Sequence, residues 1–262
     1  MNDKQIPRYQ EFPTSGILEG NMNRKLPGFG TVCPEAHMPK VPRSGIPSQA
    51  SDDEADEDDY PTSSISGGRS KPVFAYVLTS LEVLNGNILH TGCGPNMRGD
   101  CITLCTCMHY HRTWRKTWRG IWVAGFTGTQ YGNQLFYLMQ VGEEASSHFE
   151  LWHSVFLPNR GAKSATVNAF GDVYEPKRTA SLATIYNINF YEWPIANHVH
   201  ANGWASDIYY KFPILKKKQP KLLVGIPVRS YLWSRPMYSY KGVLHPRFKF
   251  YPSLVDFYNI LK

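Results

Sequence analysis

The sequence predicts an α+β domain with a mixed or barrel-like β-sheet core and a few helices, preceded by a disordered tail. Three observations carry this. Residues 72–262 contain many apolar and aromatic runs of strand length and few stretches of helical period. Strand-like and helix-like runs do not alternate, which argues against a doubly wound parallel sheet, and no internal repeat of fixed period is present. Residues 1–71 carry Pro7, Pro13, Pro27, Pro34, Pro39, Pro42, Pro47 and Pro61, with large apolar residues few and irregularly spaced. Such a segment cannot bury enough apolar surface to offset its ordering entropy. The expected division is therefore a tail over 1–71 and one globular domain over 72–262.

Taken in order, KPVFAYVLTS (71–80) reads as the first strand, and a loop rich in Gly and Asn follows. CITLCTCMHYH (101–111) alternates, so that Ile102, Leu104 and Met108 share one face. Cys101, Thr103, Cys105, Cys107, His109 and His111 share the other. Trp114 and Trp118, four apart, suit a helical turn before the strand-like IWVAGF (121–126). NQLFYLMQV (133–141) is the next strand, and HFELWHSVF (148–156) a short helix. Short strands and turns are expected at GDVYEP, YNINFYEWP, HVHANGW, DIYYKFPIL, KLLVGIP and SYLW. PSLVDFYNIL (252–261) closes the chain as an amphipathic helix with Leu254, Phe257, Tyr258 and Leu261 on one side.

Charge is distributed unevenly. Of 28 basic and 21 acidic side chains, residues 1–71 hold 8 and 11, leaving residues 72–262 with 20 and 10, a net +10. A domain of that charge favours anionic partners, nucleic acid first among them. Seven carboxylates between Asp52 and Asp59 form a self-repelling block. It reads as a solvated linker, or as an internal mimic of nucleic acid competing for the basic surface. No apolar run is long enough to cross a bilayer, and no secretory leader is visible. Four of the five cysteines crowd between Cys93 and Cys107, unlike a disulfide framework, so the thiols are expected reduced, in cytoplasm or nucleus.

Three constellations could carry chemistry. His90, Cys93, Cys101, Cys105, Cys107, His109 and His111 supply zinc-ligating atoms, although no CxxC is present. The same residues can instead be packed free thiols, or a catalytic Cys105 (or Cys107) with His109 as its base. His198 and His200 form an HxH that, with Asp207, could make a facial site for iron or zinc. Such histidines also serve by hydrogen-bonding a loop or a phosphate. HFELWH departs from the zincin HExxH, because its acid stands two residues after the first His, and is read as structural. The third constellation is basic and aromatic: Arg112 and Arg115 around Trp114, then Lys216, Lys217, Lys218 and Arg247 among tyrosines and phenylalanines. Cations neutralise phosphates while aromatic faces stack on bases. P-loop, GxGxxG and GxSxG signatures are missing.

YVLTS, GPNMRGDCITLCTCM, GIWVAGFTG, LFYLMQV, GDVYEP and WASDIYY, in that order, resemble the nucleotide modification associated domains, a group linked to base modification. The early part is also similar in layout to the PUA-like domains such as EVE and YTH, small barrels that hold a base in an aromatic pocket. The resemblance implies a base-handling domain, reader or modifier, with a pocket lined by Trp122, Phe126, Asn96, Thr103 and Trp152. Asp172, Tyr174 and Glu175 of GDVYEP, with His198, His200 and Asp207, would be its polar groups. The Trp114–Trp118 insert and the extra cysteines depart from the family pattern. Two readings of other classes stand beside this one: a metal-dependent enzyme on a small molecule, and a protein interaction module without chemistry.

Overall fold

VFAYV and WVAGF are apolar along both faces, and they lie side by side as parallel strands β1 (Val73–Val77) and β5 (Trp122–Phe126) at the heart of a six-stranded sheet. A computed structural model describes residues 7–41, 71–105, 117–154, 160–196, 203–208, 221–242, 244 and 248–262. The two longest strands, β6 (Leu135–Ala145) and β7 (Leu222–Leu232), and two short ones at the edges, β4 (Thr103–Leu104) and β8 (Phe248–Tyr251), complete the sheet in the order β4-β7-β6-β5-β1-β8. Apart from β1 with β5, all of its pairings are antiparallel. Register shifts in β6 against β7, around Val141, and in β5 against β6, at Gly125 and Phe126, add local twist. The sheet curls into a half-barrel, and five short helices surround it, so the architecture is α+β.

Both faces are covered, which explains why the strands read as continuous apolar runs rather than alternating ones. On one face Val73, Ala75, Trp122, Ala124 and Phe126 pack against the C-terminal helix, whose Leu254, Phe257 and Tyr258 point inward as its sequence period predicts. That helix runs Leu254–Asn259 and is capped by Ser253, which accepts from Asp256 N. On the other face Phe74, Tyr76, Val123 and Met139 pack with Leu18, Leu81 and Ile88.

Leu18 marks a difference from expectation. Residues 7–41 are built into the fold rather than forming part of a tail. Helix α1 (Gly16–Gly20) buries Leu18 on one face of the sheet, while Leu26 and Met38 join the core on the other. Asn23 N donates to Leu232 O and its Oδ1 accepts from Ser234 N, Leu26 N donates to the Tyr238 hydroxyl, and Trp233 Nε1 donates to Arg24 O. The anchors are single residues meeting distant strands, so they leave no periodic trace in sequence. The acidic block at 51–60 lies outside the described residues.

The Gly/Asn loop after β1 is a hairpin, β2 (Leu81–Leu84) and β3 (Asn87–His90). Asn85 and Gly86 between them have φ of 51° and 74°, the left-handed pair that a two-residue type I′ connection needs. GDVYEP and YNINFYEWP, expected as strands, hold single bridges (Ser164 with Val173, Pro176 with Tyr191) and a 3-10 turn at Ile188–Phe190. KLLVGIP and SYLW merge into β7.

His90, one of the zinc-type candidates, is structural. Its ring is wholly buried, with Nδ1 3.3 Å from Gln10 Nε2 and Nε2 3.1 Å from Ser80 Oγ. Burial pushes its pKa down to about 3, against a smaller opposing effect of a backbone hydrogen bond with Gly94. The folded state therefore holds His90 neutral where the unfolded chain binds a proton. The stability this contributes is full above about pH 6.5 and is lost as pH falls toward the folded pKa, at up to about 1.4 kcal/mol per pH unit. Denaturant midpoints measured from pH 7 to pH 4 should fall, and in His90→Gln they should fall less steeply.

Candidate active site

The site is built at the β4 edge. Alternation along 101–105 places Ile102 and Leu104 in the core shared with α1, and Cys101 and Cys105 in a separate cluster with Leu151, Val173, Leu222 and Val224. This is the thiol-bearing face the sequence predicts. Opposite it stands helix α2 (His148–Trp152), where Ser147 Oγ accepts from Glu150 N and Glu150 Oε2 accepts from Ser146 N. These two contacts fix the start of the helix and thereby its first residue, His148. Its Nε2 lies 3.4 Å from Cys105 Sγ, and both side chains are buried.

Tyr174 and Asp207 complete this group. The Tyr174 ring meets the His148 ring edge-on, with centroids 4.8 Å apart, and its hydroxyl donates to Asp207 Oδ2 at 2.8 Å. Asp207 comes from a helix, α4 (Ala205–Ile208), not from the strand expected there. Trp204, just before that helix, stacks on Tyr174 at 5.4 Å. Burial pushes the Tyr174 phenol well above its ordinary range, and the neighbouring Asp207 carboxylate adds to this. Tyr174 is therefore a proton donor at neutral pH.

A second polar group adjoins the first through Cys101. Asn96 pairs with Thr103 by two backbone hydrogen bonds, and Thr103 Oγ1 donates to Asp172 Oδ1 at 3.4 Å. Lys163, at the end of helix α3 (Arg160–Lys163), is buried, and its Nζ donates to Asn96 O at 3.0 Å. Burial lowers the Lys163 pKa, opposed by nearby Cys101 and Asp172. Burial likewise holds the Cys101 thiol up at about 11, with Lys163 opposing, so Cys101 stays protonated near neutrality.

Gly171 determines where Asp172 sits. A Cβ there would lie 2.6 Å from Ala165 Cα and N, backbone atoms that cannot give way. Gly171→Ala is expected to cost about 1–3 kcal/mol, read as a lowered denaturant midpoint. Gly161→Ala, which meets nothing within 4 Å and lies in α3, should leave stability unchanged or slightly raised.

The structure thus brings together three predicted catalytic residues, Cys105, Tyr174 and Asp207, and sets Asp172, Thr103 and Asn96 beside them. It does not gather the aromatic pocket. Trp122 and Phe126 are wholly buried in the core under the C-terminal helix, Phe126 edge-on to Tyr240 and Phe257, with β6 and β7 between their strand and Thr103. Their even-numbered positions on β5 turn them into that core. Trp152 is half-buried, with the Arg160 guanidinium over its ring.

His109, Arg112, Arg115, His198, His200, Lys216, Lys217, Lys218 and Arg247 lie outside the described residues. Among the described residues no three His, Cys, Asp or Glu side chains are placed to hold a metal ion, and no helix is long and apolar enough to cross a membrane. Lys163 and Trp204 carry no sequence signal, and the HFELWH segment that contains His148 reads as structural; the Ser147/Glu150 capping pattern, which starts a helix at His148, is the signal that marks it.

No protein-family model, curated protein or solved structure matches this chain.

Proposed function

We propose that the domain handles nucleic-acid bases and activates them by reversible covalent addition at a thiol–imidazole site in which Cys105 is the nucleophile and His148 its base. The observation that carries this is the 3.4 Å contact between Cys105 Sγ and His148 Nε2, buried beside the Tyr174–Asp207 hydrogen bond. A neutral His148 Nε2 accepts the thiol proton, and the thiolate adds to an electron-poor ring carbon. The C–S bond forms as an electron pair moves onto the ring, and His148 returns the proton when that bond breaks. Tyr174, held protonated and oriented by Asp207, donates a hydrogen bond rather than acting as a base.

Nucleic acid as the partner is supported by the net +10 of residues 72–262 and by motif resemblance. The half-barrel sheet is the coarse shape that a PUA-like layout requires, and that layout is part of the proposal. The aromatic groups beside the thiol are Tyr174 and Trp204, which stack on each other, rather than Trp122 and Phe126.

The test uses the full chain with single-stranded and duplex DNA and RNA across a salt series, together with an oligonucleotide carrying 5-fluoropyrimidines. Binding should weaken steeply with salt. Intact-mass measurement should find a covalent adduct that Cys105→Ala abolishes while binding persists. Binding without an adduct would leave a reader. No binding at low salt would remove nucleic acid as the partner.

A further inference from the structure

Cys105 and His148 are buried, yet an unbroken line of aromatic rings joins them to the surface. Trp193 is 71% exposed, an unusual setting for the largest apolar side chain. Its ring meets Trp204 edge-on with centroids 5.4 Å apart, Trp204 stacks on Tyr174 at 5.4 Å, and Tyr174 meets His148 at 4.8 Å. Each step is direct ring contact. Electron exchange between rings falls off exponentially with separation, so contacts of this kind are favourable steps for it.

The order of residues along the line also fits one-electron chemistry. Tryptophan can lose an electron and remain a radical cation, which suits Trp193 at the exposed outer end and the buried Trp204 that passes the charge inward. A tyrosine radical cation is strongly acidic, so oxidation of tyrosine at neutral pH requires a base for the phenolic proton. Tyr174 has one, Asp207 Oδ2 at 2.8 Å. Tyr191, buried in the same cluster, donates instead to the backbone carbonyl of Ile185, which cannot take up a proton. The carboxylate is found at the tyrosine that ends the line.

We propose that Trp193, Trp204 and Tyr174 form a one-electron relay between the protein surface and the buried thiol site. A one-electron oxidant at the surface takes an electron from Trp193. Trp204 refills Trp193, and Tyr174 refills Trp204 while its phenolic proton passes to Asp207. The balance is one electron to the oxidant, one proton to Asp207, and a neutral tyrosyl radical beside Cys105. A soluble thiol at the surface reverses it: the thiol loses one electron and its proton, the electron returns through Trp193 and Trp204 to Tyr174, and Asp207 gives the phenolic proton back. The site thereby gains radical chemistry in addition to thiol addition. This rests on the reading of the Cys105–His148 pair as the working site.

The test is photo-oxidation of the full chain with a water-soluble ruthenium(II) polypyridyl complex and a sacrificial electron acceptor, which together generate the ruthenium(III) oxidant, followed by freeze-quenching and electron paramagnetic resonance. Wild type should give a tyrosyl signal with a component missing from Tyr174→Phe, and Trp193→Phe should lose that component several-fold. Trp193 is exposed, so its variant keeps the fold if Tyr174→Phe does not. Asp207→Asn, which keeps a hydrogen-bond acceptor but not the base, should slow formation of the component. A Tyr174→Phe spectrum identical to wild type, or a Tyr174 component unchanged in Trp193→Phe, overturns the relay. Cys105→Ala should keep the signal while losing the covalent adduct, so failure of the relay and failure of the thiol reading are separable.

Discussion

Replacing His148 with Gln should shift alkylation of Cys105 to higher pH and slow it several-fold below neutral pH. Thiolates paired with an imidazolium form between about pH 3.5 and 7.5, whereas an unpaired thiol titrates near 8.5. Removing the imidazole takes away the proton acceptor and the positive charge that favour the thiolate, and the greater nucleophilicity of the more basic thiolate recovers only part of that loss. The expected effect is therefore seen in the pH profile of iodoacetamide labelling, site by site, by peptide mass spectrometry. The protein contains its own references. Cys33 is exposed and should label readily, while Cys101, held protonated by burial, should resist labelling across the range. Access to the buried Cys105 needs an opening fluctuation common to both proteins, so it cancels in the ratio. If the His148→Gln profile overlays that of wild type, the 3.4 Å contact is packing and the site has no activated nucleophile.

Local chemistry in the sequence anticipated much of this geometry. The five-residue alternation at 101–105 correctly separated Ile102 and Leu104 from the two thiols, because a strand period of two leaves no other arrangement once one face is apolar. GDVYEP and Asp207 were singled out as polar groups and do stand at the site, yet as parts of irregular backbone and of a helix rather than of strands. What was not legible is partnership across the chain. Cys105 and His148 are 43 residues apart, and Tyr174 and Asp207 33 apart; only the tertiary fold makes them neighbours. The sequence points to the neighbouring His109, which lies outside the described residues, while the imidazole that meets Cys105 arrives from a capped helix in HFELWH, a segment that reads as structural. Trp122 and Phe126 illustrate the opposite error. Aromatic residues in a glycine-punctuated strand suggest a pocket, but strands buried on both faces spend them on the core. The hairpin is legible as well, since Asn-Gly between Leu84 and Asn87 is a strong two-residue turn signal.

Deleting residues 1–41 should unfold the domain or bring it close to unfolding, although composition alone marks the segment as dispensable. Leu18, Leu26 and Met38 are buried on opposite faces of the sheet, and each such side chain contributes about 1.5–3 kcal/mol. Their sum is an upper figure because unfolded chains bury some of the same surface, but it is a large share of the 5–15 kcal/mol that holds an ordinary domain together. Polar losses add to it. Gln10 donates to Gly92 O and Pro95 O, accepts from Met97 N and meets the buried His90 ring, so its removal leaves several interior groups without partners. The single change Leu18→Ala should cost about 2–5 kcal/mol, against less than about 0.5 kcal/mol for Val32→Ala, whose side chain is 94% exposed. Thermal or denaturant midpoints of the three proteins decide the matter. A truncated chain that melts with wild type would mean that residues 7–41 are a removable strap. The expected loss of cooperative unfolding has a practical consequence: binding or labelling experiments on residues 72–262 alone would report on a chain whose sheet has been stripped on both faces, and the thiol site and its aromatic relay have to be tested in the whole protein.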